Sequence, residues 1–479
     1  MPCLLLAHLL VIDGGQPLHC ARAHTTGLRR SAPRPRLAGL ERDTGAGDWG
    51  AARLGRLGLS GIDGIMFMPK LFFCEAIFFN AYFFKTGGFM KFKLNSLVVV
   101  LGLAACSMSA QAQQTVKIGF LGTLSGPAGA LGQDQYDAFM LGVEHNGGKL
   151  GGATVQVIKE DDQLKTDLGV QLAQKLIERD KVNIITGVTF SNVMMAIHKP
   201  ITDAGVLLVG SNAGPTPLTG KGCSPLFFST SWNNDSLHES MGQHATDSGY
   251  KKVYLLAPNY QAGKDALSGF KRMYKGQVLD EVYTQVNQPD YSAEIAQLQA
   301  AKPDAIYVFY PGGMGVNFVK QYQQAGLLGK LPLLSTSTVD GTTLPALKDI
   351  ALGVVTGSPY SADLDNPQNK KFVDDFKKKY NRVPSLYAAQ SYDAASLIHA
   401  ALIKTGGKAD NKETLRAALK SSVFNSVAGP FKFNTNQFPI RNFYRVDVAK
   451  DASGQAALVN RGVVLRDHAD AYYKECSLK

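Results

Sequence analysis

The residues of this sequence that could bind a small molecule are concentrated in two short polar turns. Together the turns supply backbone amides, two hydroxyls and one amide side chain: Thr189, Phe190, Ser191, Asn212, Ala213 and Gly214. A serine at the start of a helix places its hydroxyl beside unpaired backbone N–H groups and the positive end of the helix dipole. Such donors suit a carboxylate. We therefore predict that Ser191 helps to bind an organic anion; the alternative is that it only caps its helix.

The elements around the two turns follow the order strand, turn, helix, strand, turn. An apolar run at 183–186 precedes the first turn, a helical pattern covers 193–203, and a second apolar run at 205–209 leads into the second turn. In a parallel βαβ unit, both turns lie at the carboxyl ends of neighbouring strands, where ligands of open α/β sheets bind. We therefore expect the two turns to meet at one edge of a sheet.

The same alternation of strand and helix patterns fills most of the chain. Strand patterns at 116–121 and 154–158 precede the two turns, and a second alternating series follows residue 235. Connecting stretches begin near Leu226, Thr356 and Gly429. We predict an α/β fold of two interleaved, doubly wound parallel-sheet lobes joined by three hinge crossovers. The N-terminal lobe is predicted at residues 113–230 plus 358–430, and the C-terminal lobe at 231–357 plus 431–479.

The segment at 90–112 has the pattern of a secretory signal peptide. Lys91 and Lys93 precede a short apolar stretch, and small residues then lead to an A-x-A motif ending at Ala112. The apolar stretch is too short to span a membrane. We expect cleavage near Ala112 and a periplasmic product. The sequence around Cys106 also resembles a lipoprotein box, so lipid anchoring through Cys106 is the alternative.

Residues 1–89 precede this signal pattern, and we interpret them as an upstream extension read from an early start codon. A membrane anchor at 65–84 is the alternative. The formal charge of +11 falls to +5 when residues 1–112 are left out. No basic run remains in the rest of the chain, so binding to nucleic acid is not expected. The remaining length allows two domains with separate cores, and we expect a monomer.

The cysteines and histidines do not form a pattern that binds a metal. Cys223 and Cys476 are the two cysteines after residue 112, and they can pair in an oxidising compartment. The scattered histidines are interpreted as structural or solvent-facing: His145, His198, His238, His244, His399 and His468. Phosphate-binding and dinucleotide motifs are absent, so no cofactor and no catalytic residue are predicted. An enzyme with a Ser–His–acid triad stays an alternative, although Ser191 does not lie in a G-x-S-x-G motif.

From about Val116 to about Tyr444 the sequence resembles the type I periplasmic solute-binding proteins of ABC transporters, the branched-chain amino-acid (leucine/isoleucine/valine) receptor family. The strongest segments are residues 118–132, 187–191, 205–218 and 313–328. The resemblance implies a receptor whose lobes close on a small-molecule carboxylate and which delivers it to an ABC permease in the inner membrane. A ligand-sensing domain for a signalling partner is the alternative function.

The resemblance also implies roles for residues outside the two turns. Those at or near the family's ligand-contacting positions are Ser125, Leu131, Tyr260, Tyr310, Ser337 and Asp340. The acid that holds a ligand's ammonium in this family corresponds to a place near Ser337, and Asp340 is the nearest acid but is out of register. An unpaired ammonium in a closed cleft would cost several kcal/mol. We therefore expect a carboxylate that lacks an amine and has an apolar or aromatic body.

Overall fold

The computed structural model describes residues 115–478, which contain two β-sheets. The first sheet has six strands in the order β2-β3-β1-β4-β5-β6, and all neighbours are parallel except β2 and β3. In chain order these strands are β1 (Thr115–Gly122), β2 (Lys149–Leu150), β3 (Ala153–Asp161), β4 (Ile184–Gly187), β5 (Leu207–Gly210) and β6 (Phe227–Ser229).

The second sheet has eight strands in the order β12-β13-β11-β10-β9-β7-β8, with β14 also paired to β13. Strands β7 to β11 are parallel, whereas β12, β13 and β14 are antiparallel to their neighbours. Their bounds are β7 (Lys252–Pro258), β8 (Gln277–Thr284), β9 (Ala305–Val308), β10 (Leu333–Thr336), β11 (Val355–Ser358), β12 (Lys432–Phe433), β13 (Pro439–Lys450) and β14 (Ala456–His468).

Eleven α-helices connect the strands within the described residues. They are α1 (Gly129–His145), α2 (Thr166–Gln174), α3 (Ser191–Asp203), α4 (Asn234–Asp247), α5 (Gln261–Met273), α6 (Ser292–Ala301), α7 (Gly313–Gln324), α8 (Leu344–Leu347), α9 (Pro367–Tyr380), α10 (Leu386–Lys404) and α11 (Lys412–Ser421). A π-helical turn (Lys175–Arg179) extends α2, and short 3-10 segments lie at Thr216–Leu218, Lys348–Ala351 and Tyr473–Glu475.

Helices cover both faces of each sheet in its central strands. Successive side chains of a strand point to opposite faces, so neighbouring residues pack against different helices. In the first sheet Ile184 packs with residues of α1 and α10, whereas its neighbour Ile185 packs with residues of α2 and α3. In the second sheet Leu256 packs with residues of α6 and α7, whereas Leu255 packs with residues of α4 and α5. This continuous apolar character is what parallel sheets covered on both sides require.

The chain passes between the two sheets three times. It leaves the first sheet after β6, returns after β11 to place α10 against α1, and enters the second sheet again at β12. The predicted α/β fold of two interleaved sheets is therefore confirmed. The stretches that begin near Leu226 and Thr356 are not purely connections, because they contain the short strands β6 and β11.

The carboxyl-terminal tail is attached by a disulfide to the loop before β6, and by ion pairs to α4 and α5 of the second sheet. Cys223 and Cys476 are bonded, with their Cα atoms 5.7 Å apart. Close by, Arg272 contacts the buried carboxylates of Asp235, at 2.7 Å, and Glu239. The tail joins this cluster through its own side chains, since His468 pairs with Glu239 and the Tyr472 hydroxyl donates to Asp235 at 2.8 Å.

Replacing both cysteines of this disulfide with serine is expected to lower the free energy of unfolding by about 2–3 kcal/mol, since a disulfide restricts the unfolded chain. Urea unfolding of the variant and the parent protein measures the difference. A peptide map of the unreduced protein tests the bond itself. We expect the peptides that contain Cys223 and Cys476 to be recovered as one linked species, and their recovery as separate peptides would contradict the pairing.

Four predictions from the sequence lie outside the described residues: the upstream extension at 1–89, the alternative of a membrane anchor at 65–84, the signal peptide at 90–112, and the lipid-anchoring alternative at Cys106. Among the helices of residues 115–478, none combines the length and the apolar character that a membrane span needs.

Candidate ligand-binding site

A cavity lies between the two polar turns of the first sheet and the helices of the second, and we call it the cleft cavity. Its lining is mostly apolar and aromatic, with a few hydrogen-bonding side chains and no Asp, Glu, Lys or Arg. The lining residues are Leu131, Thr189, Phe190, Ser191, Asn212, Ala213, Trp232, Asn234, Leu237, His238, Tyr260, Ala262, Phe309, Pro311, Ser337 and Tyr387. Among the described residues, those that line this cavity therefore offer hydrogen-bond donors but no charged side chain.

The start of α3 lies at the cavity and has donors suited to an anion. Ser191 is the first residue of this helix, and Phe190 is its N-cap residue. No side chain forms a capping hydrogen bond to the start of the helix. The first N–H groups of a helix have no partner within the helix, and they carry part of the positive end of its dipole. The Ser191 hydroxyl oxygen accepts a hydrogen bond from Asn234 Nδ2 at 3.1 Å. Its own proton is therefore left to donate to a carboxylate.

Most polar groups of the second turn form hydrogen bonds within the protein and are not free to bind a ligand. The side chain of Asn212 donates to the Thr189 carbonyl at 2.6 Å, and the amide N–H of Ala213 donates to the Val188 carbonyl at 3.0 Å. The amide N–H of Gly214 faces Asn234 Oδ1 at 3.3 Å. Because two of the three predicted backbone donors are already used, the carboxylate donors concentrate at the first turn.

A buried hydrogen-bond network fixes the position of the first turn. Thr189 Oγ1 accepts from the amide N–H of Thr123 at 3.1 Å and donates to Gln135 Oε1 at 2.7 Å. Gln135 in turn donates to Ser211 Oγ at 3.2 Å, beside the second turn. These bonds connect the ends of β1, β4 and β5 to α1. A site on such braced strand ends can keep its geometry when a ligand binds.

Asn234 links the anion site to a buried acid of the second sheet's helices. Its side-chain amide donates to Asp265 Oδ2 at 2.9 Å as well as to Ser191. Asp265 also accepts from Gln261 and from the amide of Thr216. Burial raises the pKa of Asp265 to about 6. The carboxylate does not line the cavity, and its contact with Asn234 fixes which way that amide points.

Aromatic rings form the walls of the cleft cavity. The ring of Tyr260 lies 6.1 Å from that of Phe190 and is stacked on that of Phe309 at 6.3 Å between centroids. Trp232 and Tyr387, both almost completely buried, contribute further surface. These packed rings present apolar surface against which a flat apolar group can pack.

Eight of the residues predicted as ligand-binding line the cleft cavity, and four do not. The eight are Leu131, Thr189, Phe190, Ser191, Asn212, Ala213, Tyr260 and Ser337. Tyr310 lies outside because its ring packs in the core against Tyr291 and Phe318, with centroids 4.9 and 5.1 Å away. Phe309, one position earlier in the chain, faces the cavity in its place.

The other three predicted residues lie near the cavity without lining it. Asp340 is buried and accepts hydrogen bonds from the amide and hydroxyl of Thr342, at 2.8 and 2.6 Å, and burial raises its pKa to about 6. Ser125 is exposed in the loop after β1. At Gly214, an added Cβ would lie 1.9 Å from the Trp232 carbonyl oxygen, so this position has no room for a side chain.

Sequence reasoning missed several residues that line the cavity, among them Asn234, His238, Phe309 and Tyr387. His238, interpreted from the sequence as structural or solvent-facing, is buried and hydrogen-bonded within the fold, and it also lines the cavity. Asn234 and His238 are four residues apart on α4, a spacing that puts both on one helix face. That spacing was visible in the sequence, but nothing local showed which face of α4 the cavity would meet.

The two halves of the site contact each other across the cavity. The amide N–H of Gly313, at the start of α7, donates to the carbonyl oxygen of Pro127 in the loop after β1 at 3.1 Å. A Cβ at Gly313 would lie 3.1 Å from both the Cβ and the carbonyl oxygen of Pro127. The structure therefore shows the halves in close approach, as expected of a closed cleft.

Comparison with known proteins identifies the family of this chain. Residues 115–455 match the family model described as periplasmic binding protein. The chain therefore belongs to the periplasmic binding protein family, whose members are extracytoplasmic. The "Leu/Ile/Val-binding protein homolog 6" of Brucella melitensis is 29% identical over 372 residues, which cover 74% of this chain and 94% of that protein.

Two similar solved structures are solute-binding proteins of ABC transporters. One, from R. palustris in complex with benzoate, is 31% identical, covers 76% of this chain and 100% of its own, and has a TM-score of 0.73. Another, from Rhodopseudomonas palustris BisB5 in complex with 3,4-dihydroxy benzoic acid, is 32% identical, covers 74% and 99%, and has a TM-score of 0.70. With the fold and the cleft, these likenesses define the chain as a solute-binding receptor of the kind that serves ABC importers.

Proposed function

We propose that this protein binds an aromatic carboxylate without an amine in the cleft cavity, and that it performs no reaction on its ligand. The observation that carries the proposal is the composition of the cavity. Ser191 and the start of α3 supply donors for an anion, aromatic rings form the walls, and no lining residue is acidic. A ligand that matches all three properties has a carboxylate at one end and a flat apolar body.

The absence of an acid among the lining residues argues against an amino acid. An amino acid's ammonium enclosed between Phe309, Tyr260 and Trp232 would lose its water without gaining a counter-charge. Such an unpaired buried charge costs several kcal/mol. Two buried acids of this region, Asp265 and Asp340, do not line the cavity, and Asp265 is already contacted by Asn234. A carboxylic acid without an amine avoids this cost.

The relatives support the same ligand class. The two Rhodopseudomonas structures contain benzoate and 3,4-dihydroxy benzoic acid, and both are at least 30% identical to this chain. The Brucella relative, whose name refers to leucine, isoleucine and valine, favours an aliphatic amino acid instead. We favour the aromatic acid, because the rings of the cavity suit an aromatic body and no lining residue is an acid that could pair with an amine.

Transport follows from closure of two lobes. The proposed lobes are residues 113–230 plus 358–430 and residues 231–357 plus 431–479, with hinges at the three passages between the sheets. Contacts that a ligand makes only in the closed form shift the equilibrium towards closure. We propose that an inner-membrane ABC permease recognises this closed form of a periplasmic monomer, released after cleavage near Ala112. A signalling partner that reads the same closure is the second candidate.

Calorimetric titration of the purified protein with benzoate, benzamide, benzylamine and leucine tests the ligand class. We expect benzoate to bind, and the other three to bind at least about 100-fold more weakly, since benzamide lacks the charge and the amines bring an unpaired cation. Benzoate should also raise the melting temperature and change the fluorescence of Trp232, and a Trp232→Phe variant controls for that signal. Tight binding of leucine together with no response to benzoate would reject the proposal.

A further inference from the structure

His238 is a buried side chain of the cleft cavity whose hydrogen bonds occupy only one of its ring nitrogens. It lies on α4, four residues after Asn234, and its exposed fraction is 1%. The helical rise makes this spacing about 6 Å along the axis. Asn234 contacts Ser191, so His238 lies one helical turn beyond the residue that contacts the start of α3.

The imidazole of His238 is held in a fixed orientation. Its Nδ1 contacts the hydroxyls of Tyr307 on β9 and of Thr336 on β10, the latter at 2.5 Å, and these hydroxyls lie 3.0 Å from each other. The ring of Phe309 packs edge-on against the imidazole with centroids 4.8 Å apart. A side chain with so many contacts has little freedom to turn.

The same contacts assign the proton of the ring. Burial lowers the pKa of His238 to about 3, so the imidazole is neutral near pH 7 and carries one N–H. A phenol is a strong donor, and burial raises the pKa of Tyr307, which keeps that hydroxyl protonated. A neutral imidazole whose Nδ1 accepts a hydrogen bond from Tyr307 carries its own N–H on Nε2. Among residues 115–478 the structure shows no hydrogen bond of Nε2.

We propose that His238 Nε2–H donates a hydrogen bond to an oxygen substituent on the ligand ring, so that the protein prefers a hydroxybenzoate to benzoate. The inference rests on the proposed function, since it assumes that an aromatic carboxylate lies with its acid group at Ser191. An unsubstituted ring would leave the buried N–H without a partner. Such an unpaired group is what lets a binding site reject an analogue that lacks one hydroxyl.

The test compares benzoate, 3-hydroxybenzoate and 4-hydroxybenzoate by calorimetric titration of the purified protein. We expect one or both hydroxybenzoates to bind about 10- to 100-fold more tightly than benzoate. In a His238→Phe variant this ratio should fall to about one, through a loss of hydroxybenzoate affinity. The ratio in the wild-type protein should stay constant between pH 8 and pH 7, because the imidazole gains no proton there and the range lies above the pKa of Asp265 and of Asp340.

Two further variants keep the test decisive. His198 is also buried, and it packs edge-on against Phe227 at 5.2 Å, but it does not line the cavity, so His198→Phe should leave the ratio unchanged. Tyr307→Phe keeps His238 but removes the hydroxyl that orients it, and it should reduce the ratio if His238→Phe does not fold. Equal binding of all three ligands to the wild-type protein would overturn this inference while leaving the proposed function intact. Failure to bind any of them would reject both.

Discussion

Ser191→Asp is expected to weaken benzoate binding by more than about 1,000-fold while the protein stays folded. The new carboxylate would occupy the place of the ligand's own, and two like charges at one site cost several kcal/mol. The fold should tolerate the change, because an acid in the first turn of a helix interacts favourably with the dipole, by about 0.3–1 kcal/mol. Asn234 Nδ2, which donates to Ser191, could donate to the new side chain as well.

Calorimetry and thermal unfolding separate these two effects. Ser191→Ala should give a smaller loss of affinity, about 1.5–3 kcal/mol, the value of a hydrogen bond to a charged group. Ser292 is a matched control, since it is also the first residue of a helix, α6, and lies outside the cleft cavity. Ser292→Asp should bind benzoate as the parent protein does. Unchanged benzoate affinity in Ser191→Asp would remove the start of α3 from the site.

Gly214→Thr should abolish ligand binding and lower the free energy of unfolding by about 3 kcal/mol or more. The Cβ of any larger residue would lie 1.9 Å from the Trp232 carbonyl oxygen. Because this oxygen belongs to the backbone, it cannot rotate away as a side chain could. Overpacking of this kind forces the main chain to move. The displaced segment would carry Trp232 and Asn234, which both line the cavity. The close approach of the Trp232 carbonyl oxygen therefore requires glycine at this position.

Urea unfolding and calorimetry measure the two consequences of Gly214→Thr. Gly220→Ala is a suitable control, because the closest atom to its added Cβ is the end of the Glu475 side chain at 3.3 Å, which can move. This control should change stability and benzoate affinity little. Wild-type stability in Gly214→Thr would show that the turn and the Trp232 segment are less tightly packed than the structure indicates.

Local patterns in the sequence were sufficient to predict the anion site. The apolar run before Thr189, the polar turn and the helical pattern after it are all within one short stretch, and together they define a strand end that faces a helix start. The structure places Thr189, Phe190 and Ser191 at the cavity as this pattern indicates. The fold followed from the same reasoning, since long alternating series of strands and helices give parallel sheets.

Two features were harder to predict from the sequence: the short strands, and which of two adjacent side chains faces the cavity. The strands β6 and β11 have three and four residues, and so short a run has no periodicity that separates it from a connection. Tyr310 and Phe309 are adjacent aromatic residues, and the choice between them depends on how the chain leaves β9. In the structure Tyr291, Phe318 and Thr284 surround Tyr310, and only Phe309 is left to face the ligand.

The sequence by itself determined the two-sheet fold and the polar strand end and helix start at Ser191, because both depend on residues that are neighbours in the chain. Only the tertiary structure decided the opposite side of the cavity. Asn234, His238 and Tyr387 come from helices far from Ser191 in sequence, and they meet it because the chain crosses three times between the sheets. Which helix face then lines the cavity depends on how α4 packs against β10 and β11, and no local pattern records that packing.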